Sequence, residues 1–215
     1  YDLEKDLINK PKSLIIGRII SKKFALNTYL LFTITGVLIG WLLHYRVMLF
    51  YSGFAFLLWF YSHKLKKITF IGNLTATFLS VCSFFVICVY YWQVNLLIIL
   101  YVIFIIMLEL VREIIKDLEA IKGDLIAGYK TVPVALGIKK TKMLLYGMML
   151  IGIIPVAAIF DDIQGPLMVF YGIAVLLMAI AAVLLGTAQQ RKDFTAINNL
   201  LKVIIIVGVF SLVLL

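Results

Sequence analysis

Cysteine, histidine and proline are scarce in this chain of 215 residues: two, two and four respectively. Cys82 and Cys88 fall inside one apolar block, with neither a Cys-x-x-Cys nor a His–Cys metal spacing, and read as buried thiols acting as small hydrophobes. His44 and His63 stand at the edges of apolar blocks without a partner carboxylate in sequence and receive no role. Proline-rich and serine/glycine-rich linkers are missing, as are low-complexity segments, which leaves a single domain over residues 1–215. Charge is scarce too. With 14% charged and 64% hydrophobic residues and a mean hydropathy of +1.10, the composition excludes an ordinary soluble domain and points to an integral membrane protein. The chain starts at Tyr1 without a Met or a signal-peptide pattern, so upstream sequence is expected to be missing.

What is present is a series of apolar blocks of about 17 to 23 residues, the length a helix needs to cross a hydrocarbon core of ~30 Å. They predict an all-α, polytopic bundle with seven spans, near 24–45, 47–62, 70–92, 94–115, 143–160, 165–188 and 199–215. Nineteen of the twenty Lys and Arg lie on connections that seven spans place on one side; Arg46 stands alone on the other. That bias assigns the basic side to the cytoplasm. The net charge of +9 is therefore a topology signal. No basic stripe interleaves with exposed aromatics, so no nucleic-acid partner is expected. Anionic lipid or a phosphorylated substrate is the partner such a face implies.

The eleven acids are unevenly placed. Asp2, Glu4 and Asp6 lie in the first cytoplasmic segment. Glu109, Glu113, Asp117, Glu119 and Asp124 lie at or past the cytoplasmic end of the fourth span, in "ELVREIIKDLEAIKGDLIAGYKT". Asp193 stands elsewhere on that face, and Asp161 and Asp162 form an outer turn. If the fourth helix continues, Glu109, Glu113 and Asp117 stack one turn apart and Asp124 follows two turns on. Arg112, Lys116 and Lys122 each follow an acid by three residues, so local neutralisation is one explanation. The other is a divalent cation: Mg²⁺ takes one or two carboxylates plus phosphate oxygens and water, with lysines and arginines holding the remaining phosphate charge. Asp2 and Asp6 admit the same two explanations, a solvated loop face around Lys5 or a second cation site. Gly123, Gly128 and the "TVP" turn are expected to end the helix and fold the loop back.

These residues resemble the UbiA superfamily of intramembrane prenyltransferases. The family's first motif is Asn-Asp-x-x-Asp-x-x-x-Asp, and "YDLEKD" resembles its second half. The resemblance implies a nine-helix fold with its first two helices missing here. "NKPKSLIIGRI" resembles the stretch after that motif, with Ser13-Leu14 in place of Arg-Pro. "YSHKLKKITFIGN" resembles the family's Tyr/Lys segment and places Tyr61 and Lys66 near the active site. "REIIKDLEAIKGDLIAGYKTVPVALG" resembles the second motif, most closely that of the geranylgeranylglycerol-phosphate geranylgeranyltransferases. One position departs. The first acid of the usual Asp-x-x-x-Asp is Ala120, leaving three possibilities: Asp117 substitutes for it, the second metal is held more loosely, or the enzyme is weakened.

The resemblance implies a Mg²⁺-dependent transfer of a prenyl group, geranylgeranyl by the subfamily's name, from its diphosphate to a lipophilic acceptor, as in isoprenoid lipid biosynthesis. Asp2, Asp6, Asp117 and Asp124 are the implied metal ligands. Lys66, Arg18, Lys116 and Lys130 would bind phosphate, and Tyr61 would shield the developing cation with its ring face or bond the diphosphate. Arg18, Lys66 and Lys130 are equally what a positive-inside loop carries, and Tyr61 what an interface carries. Asn73 counts as substrate-binding, although an intramembrane Asn is more often a helix–helix hydrogen bond. "FFVICVYYW" lines a channel for the prenyl tail or faces lipid. A transporter is disfavoured because the charges cluster in loops and not at mid-membrane. The alternatives within the family are an acceptor that is an aromatic or quinone precursor, and a non-catalytic homologue that binds prenyl lipids.

Overall fold

A computed structural model describes residues 3–9, 14–91, 96–158 and 165–211. Nine α-helices form among them: α1 (Leu3–Asn9), α2 (Lys22–Leu43), α3 (Tyr45–His63), α4 (Ile71–Tyr91), α5 (Leu96–Ile126), α6 (Val132–Leu136), α7 (Ile138–Ala158), α8 (Pro166–Thr187) and α9 (Arg191–Ser211). A single 3-10 turn, Leu65–Lys67, joins α3 to α4. Among the described residues the one β feature is an isolated bridge between Ile16 and Ile20.

Seven of these helices are long, and they correspond in order to the seven expected spans. By length and composition alone, Lys22–Leu43, Ile138–Ala158 and Met168–Thr187 are apolar enough to cross a membrane. The ends differ from the apolar blocks in an informative way. α5 runs to Ile126, α7 begins at Ile138 and α9 begins at Arg191, each extending into charged sequence. A bilayer fixes the length of the apolar stretch, whereas backbone hydrogen bonds continue wherever nothing stops them. At 1.5 Å per residue α5 is about 46 Å long, well beyond a ~30 Å core. Its charged last turns therefore extend beyond the length that such a core requires.

Local chemistry sets the ends. Ser21 caps α2 by accepting from the Phe24 amide at 3.2 Å, and Asp193 Oδ2 accepts from the Gln189 and Gln190 amides, both at 2.9 Å, to start α9. Only His44, in an extended conformation, separates α2 from α3. α5 stops at Gly128, whose φ of 70° lets the Tyr129 amide return to the Asp124 carbonyl at 2.9 Å. Gly123, expected to share in ending the helix, stays inside it. A Cβ there would fall 2.3 Å from Asn9 Nδ2, so its bareness is what lets α1 lie close against α5.

The core is built around α5, which packs against α1, α4, α6, α7 and α9. Phe104, Leu108, Val111, Ile114, Ile115 and Leu118 make one buried stripe along it, met by Leu145 of α7 and Ile197, Leu201 and Ile204 of α9; Ala174, Ala181 and Leu185 of α8 complete the cluster. By contrast α3 buries no residue and α2 only Gly40. Their outer faces carry large apolar side chains, as lipid-facing helices do.

The charged connections converge at one end of the bundle. Lys142 Nζ donates to the Ala188 carbonyl at 2.6 Å, joining the start of α7 to the end of α8. The Lys130 amide donates to the Lys67 carbonyl at 3.0 Å, and Thr69 Oγ1 donates to the Lys130 carbonyl, joining the α3–α4 turn to the loop after α5. Arg191 NH1 donates to the Asn9 carbonyl, drawing α9 onto α1. Substituting Gly123→Ala is expected to push the Asn9 amide off the Ala120 carbonyl, which it bonds at 3.3 Å. The lost bond would cost about 1 kcal/mol, read as a lower unfolding temperature in detergent and faster proteolysis within α1.

Candidate active site

At the charged end, α1, the end of α3, the 3-10 turn, α5 and α9 enclose a cavity of about 190 Å³. α1 contributes Lys5, Asp6 and Asn9, and the α3–α4 region contributes Tyr61 and Lys66. α5 contributes Glu113, Lys116, Asp117, Glu119 and Ala120, and α9 contributes Arg191 and Asn198. The α5 positions share a face because they recur at three- and four-residue intervals, with Glu119 at its edge. Arg191 and Asn198 share one because they are two turns apart. Carboxylates and cations are equal in number among these lining residues.

Asp117 is the pivot. Asn73 Nδ2, from the start of α4, donates to Asp117 Oδ2 at 2.7 Å. The residue lies past the expected 94–115 span, yet it is largely buried by the packed helices. Burial pushes its carboxyl up to about 6. The Asn73 bond pulls in the other direction, the Asp124 charge pushes upward, Lys5 pulls downward and Glu113 pushes upward. Asp124 is fully buried behind this wall. It forms an ion pair with Lys5 Nζ and accepts from Thr131 Oγ1 at 3.2 Å. Lys5 also lies 5.4 Å from the centre of the Tyr129 ring, with Lys67 at 5.5 Å from the same ring. Around the rim, Lys116 Nζ bonds Glu113 at 2.7 Å, and Glu119 meets Arg191 at 3.4 Å and Asn198 at 3.5 Å.

Of the residues singled out in the sequence, Asp6, Tyr61, Lys66, Lys116 and Asp117 line the cavity together. Asn73 and Asp124 sit behind it, one holding Asp117 and the other holding Lys5. Lys130 and Arg18 are exposed and do not line it; Lys130 takes part through its backbone, in the stitch to Lys67 and Thr69. Asp2 lies outside the described residues, as do Asp161 and Asp162. Much of "FFVICVYYW" belongs to α4, but its side chains lie outside the description. Lys5, Glu119, Arg191 and Asn198 also line the cavity, although the sequence assigns none of them a site role. Lys5 looks like a local neutraliser of Asp2 and Asp6, and Arg191 like one more topology-setting charge. The i, i+7 spacing of Arg191 and Asn198 was the available signal that both face one way.

Among the described residues no three His, Cys, Asp or Glu side chains are grouped so as to hold a metal ion alone. The donor chemistry nonetheless fits Mg²⁺ arriving with a phosphorylated ligand, because hard carboxylate oxygens of Asp6 and Asp117 stand beside cations suited to phosphate. A set of this kind leaves most of the coordination sphere to phosphate and water.

The cavity thus sets carboxylates and cations together at one end of a bundle of apolar helices. The chain belongs to the UbiA prenyltransferase family, whose model matches residues 1–204. It is 32% identical over 213 residues to digeranylgeranylglyceryl phosphate synthase of Methanobrevibacter smithii, covering 94% of this chain and 74% of that protein. The synthase of the same name from Korarchaeum cryptofilum is 27% identical over 219 residues, covering all of this chain and 77% of the relative. That from Pyrococcus horikoshii is 34% identical over 141 residues, or 66% of this chain and half of the relative. No solved structure matches the chain.

Replacing Asn73 with Leu would remove the bond that favours the Asp117 anion. The folded protein holds this carboxyl's proton more tightly than an unfolded chain with its value of 3.8. The associated stability is therefore present below 3.8 and lost as pH rises through about 6. Asn73→Leu deepens that loss, so thermal unfolding should show a larger deficit from wild type at pH 8 than at pH 5.

Proposed function

We propose that this protein transfers a geranylgeranyl group from geranylgeranyl diphosphate to a hydroxyl of geranylgeranylglyceryl phosphate, releasing diphosphate, with the charged end of the bundle in the cytoplasm of a multi-pass cell-membrane protein. Support comes from one observation above all. Asp6 and Asp117 share a small cavity with Lys66, Lys116 and Arg191 at the end of an apolar bundle, where a lipid with an anionic head would lie. The names of the relatives supply the acceptor and the chain length.

In this mechanism Asp6 and Asp117 hold Mg²⁺, with Asp2 and Asp124 as further acids of the same two segments. The bound ion supplies charge that stabilises the departing diphosphate. Lys66, Lys116 and Arg191 bind phosphate oxygens and keep the head at the membrane surface while the tail extends into the bilayer. The bond between the allylic carbon and the diphosphate oxygen breaks, its electron pair leaving on the diphosphate. The acceptor oxygen bonds to that carbon, and its proton passes to the released diphosphate. Tyr61 offers a ring face to the positive carbon, and Asn73 holds Asp117 in position. Arg18 and Lys130, both exposed, attract the anionic head electrostatically.

Ala120 favours a second reading, a scaffold that binds prenyl lipids without transferring them. The residue lines the cavity one turn from Asp117, where an acid would complete the second motif. The test uses the protein in nanodiscs with geranylgeranyl diphosphate and either geranylgeranylglyceryl phosphate or 4-hydroxybenzoate, with and without Mg²⁺, following diphosphate release and lipid product. The expected result is Mg²⁺-dependent product with the glyceryl phosphate, reduced about 100-fold or more in Asp117→Asn. Metal must displace the Asp117 proton, so the Mg²⁺ requirement should rise as pH falls through about 6. Product with 4-hydroxybenzoate alone would move the protein to the aromatic acceptors. Absence of turnover in both wild type and Ala120→Asp would support the binding scaffold. Turnover confined to Ala120→Asp would identify a transferase that has lost a metal ligand.

A further inference from the structure

A second cavity, also of about 190 Å³, lies between α4, α5 and α9. It occupies the same α5–α9 seam as the first, one turn deeper. Glu109 and Arg112 line it where Glu113 and Lys116 line the first, and Lys202 takes the place of Asn198. Its walls are otherwise mostly apolar: Val81, Ile105, Ile205 and Ile206, with Ser80.

The charges do not cancel. Along α5, Arg112 bonds Glu109 at 2.7 Å and Glu113 at 3.5 Å, and Lys116 bonds Glu113 at 2.7 Å. That row of two acids and two bases neutralises itself. Lys202 is the surplus, without a hydrogen bond or ion pair among the described residues. It stands eleven residues along α9 from Arg191, about 16 Å toward the apolar side. Arg112 has an open donor as well, its Nε being buried without a hydrogen bond. Lys202, itself exposed, and the spare guanidinium donor stand beside Glu109 and an apolar wall, leaving one positive charge over, an arrangement suited to an anion with an apolar tail.

Resting on the reaction proposed above, we propose that this second cavity receives the phosphate of the acceptor lipid, with Lys202 and Arg112 as its cations and the isoleucine wall against the adjoining chain. One helical turn, ~5 Å, separates it from the cavity assigned to the diphosphate. The phosphate and the free hydroxyl of a glyceryl phosphate are a few bonds apart and span that interval, which brings the hydroxyl to the carbon it attacks. The site thereby selects phosphorylated acceptors over neutral ones.

The test compares wild type, Lys202→Gln and Lys202→Arg in two assays. One measures equilibrium binding of geranylgeranylglyceryl phosphate and of phosphate-free geranylgeranylglycerol to the detergent-solubilised protein without donor. The other measures KM for donor and for phosphorylated acceptor in nanodiscs. Lys202→Gln should weaken binding of the phosphorylated lipid and raise its KM by about tenfold, the loss of one charge-assisted bond. Binding of the neutral lipid and the donor KM should stay unchanged, and Lys202→Arg should restore most of the loss. Equal effects on both lipids, an effect confined to the donor, or no effect, as for a lysine that merely reaches to the bilayer surface, would overturn the proposal. Lys202-dependent binding without any product would leave the site standing and remove the transfer reaction. Product formed without dependence on Lys202 would do the reverse.

Discussion

The ion pair between Lys5 and Asp124 is the contact on which the charged end depends. Asp124 is fully buried, and a buried carboxylate without a counter-charge costs several kcal/mol. The cation comes from α1, more than a hundred residues away in sequence. Once Lys5 is committed, the rest of α1 is placed: Asn9 reaches the Ala120 carbonyl, and Asp6 turns into the cavity opposite Asp117. Arg191 then bonds both the Asn9 carbonyl and Glu119, which locks the start of α9 against both helices. Three cations of the site are thus already paired with carboxylates, Lys5 with Asp124, Lys116 with Glu113 and Arg191 with Glu119, and an anionic ligand reaches them by exchanging with those partners.

α5 makes this possible by being longer than a bilayer is thick. Its first part is a buried apolar stripe that α7, α8 and α9 close around, and its last turns carry acids beyond that stripe. A rigid helix transmits the packing of one part to the orientation of the other. Positions that face the core deep in the bundle fix which positions face the cavity at its end. Two cavities therefore open on one seam, in register, one turn apart. The outer pocket is mixed in charge and the deeper one mostly apolar with a surplus cation, a gradient suited to molecules with an anionic head and an isoprenoid tail.

Much of the architecture was already legible in the amino-acid order. Seven apolar blocks gave seven long helices, because in a bilayer backbone groups must bond within the segment. The same blocks, with Lys and Arg on alternate connections, gave the grouping of charged ends that the Lys142–Ala188 and Lys130–Lys67 bonds reflect. The i, i+4 spacing of Glu113 and Asp117 fixed one wall of the cavity, since a helix admits no other arrangement. Local spacing could not say which acid keeps a local partner. Glu113 does, through Lys116, whereas Asp124 takes Lys5 from another helix and Asp117 takes Asn73.

Those choices belong to the tertiary structure. Whether Asp117 meets water or protein depends on how α4 and α1 close over α5, and that closure is what raises its carboxyl to about 6. Arg191 and Lys202 look alike in sequence, as basic residues near the start of an apolar block. Packing separates them: one is paired with Glu119 at the rim, the other lines a mostly apolar pocket whose Glu109 is already bonded to Arg112. Sequence determines which charges a helix carries and on which face. Only the assembled bundle decides which charges are desolvated together, because burial is a property of the neighbours and not of the residue.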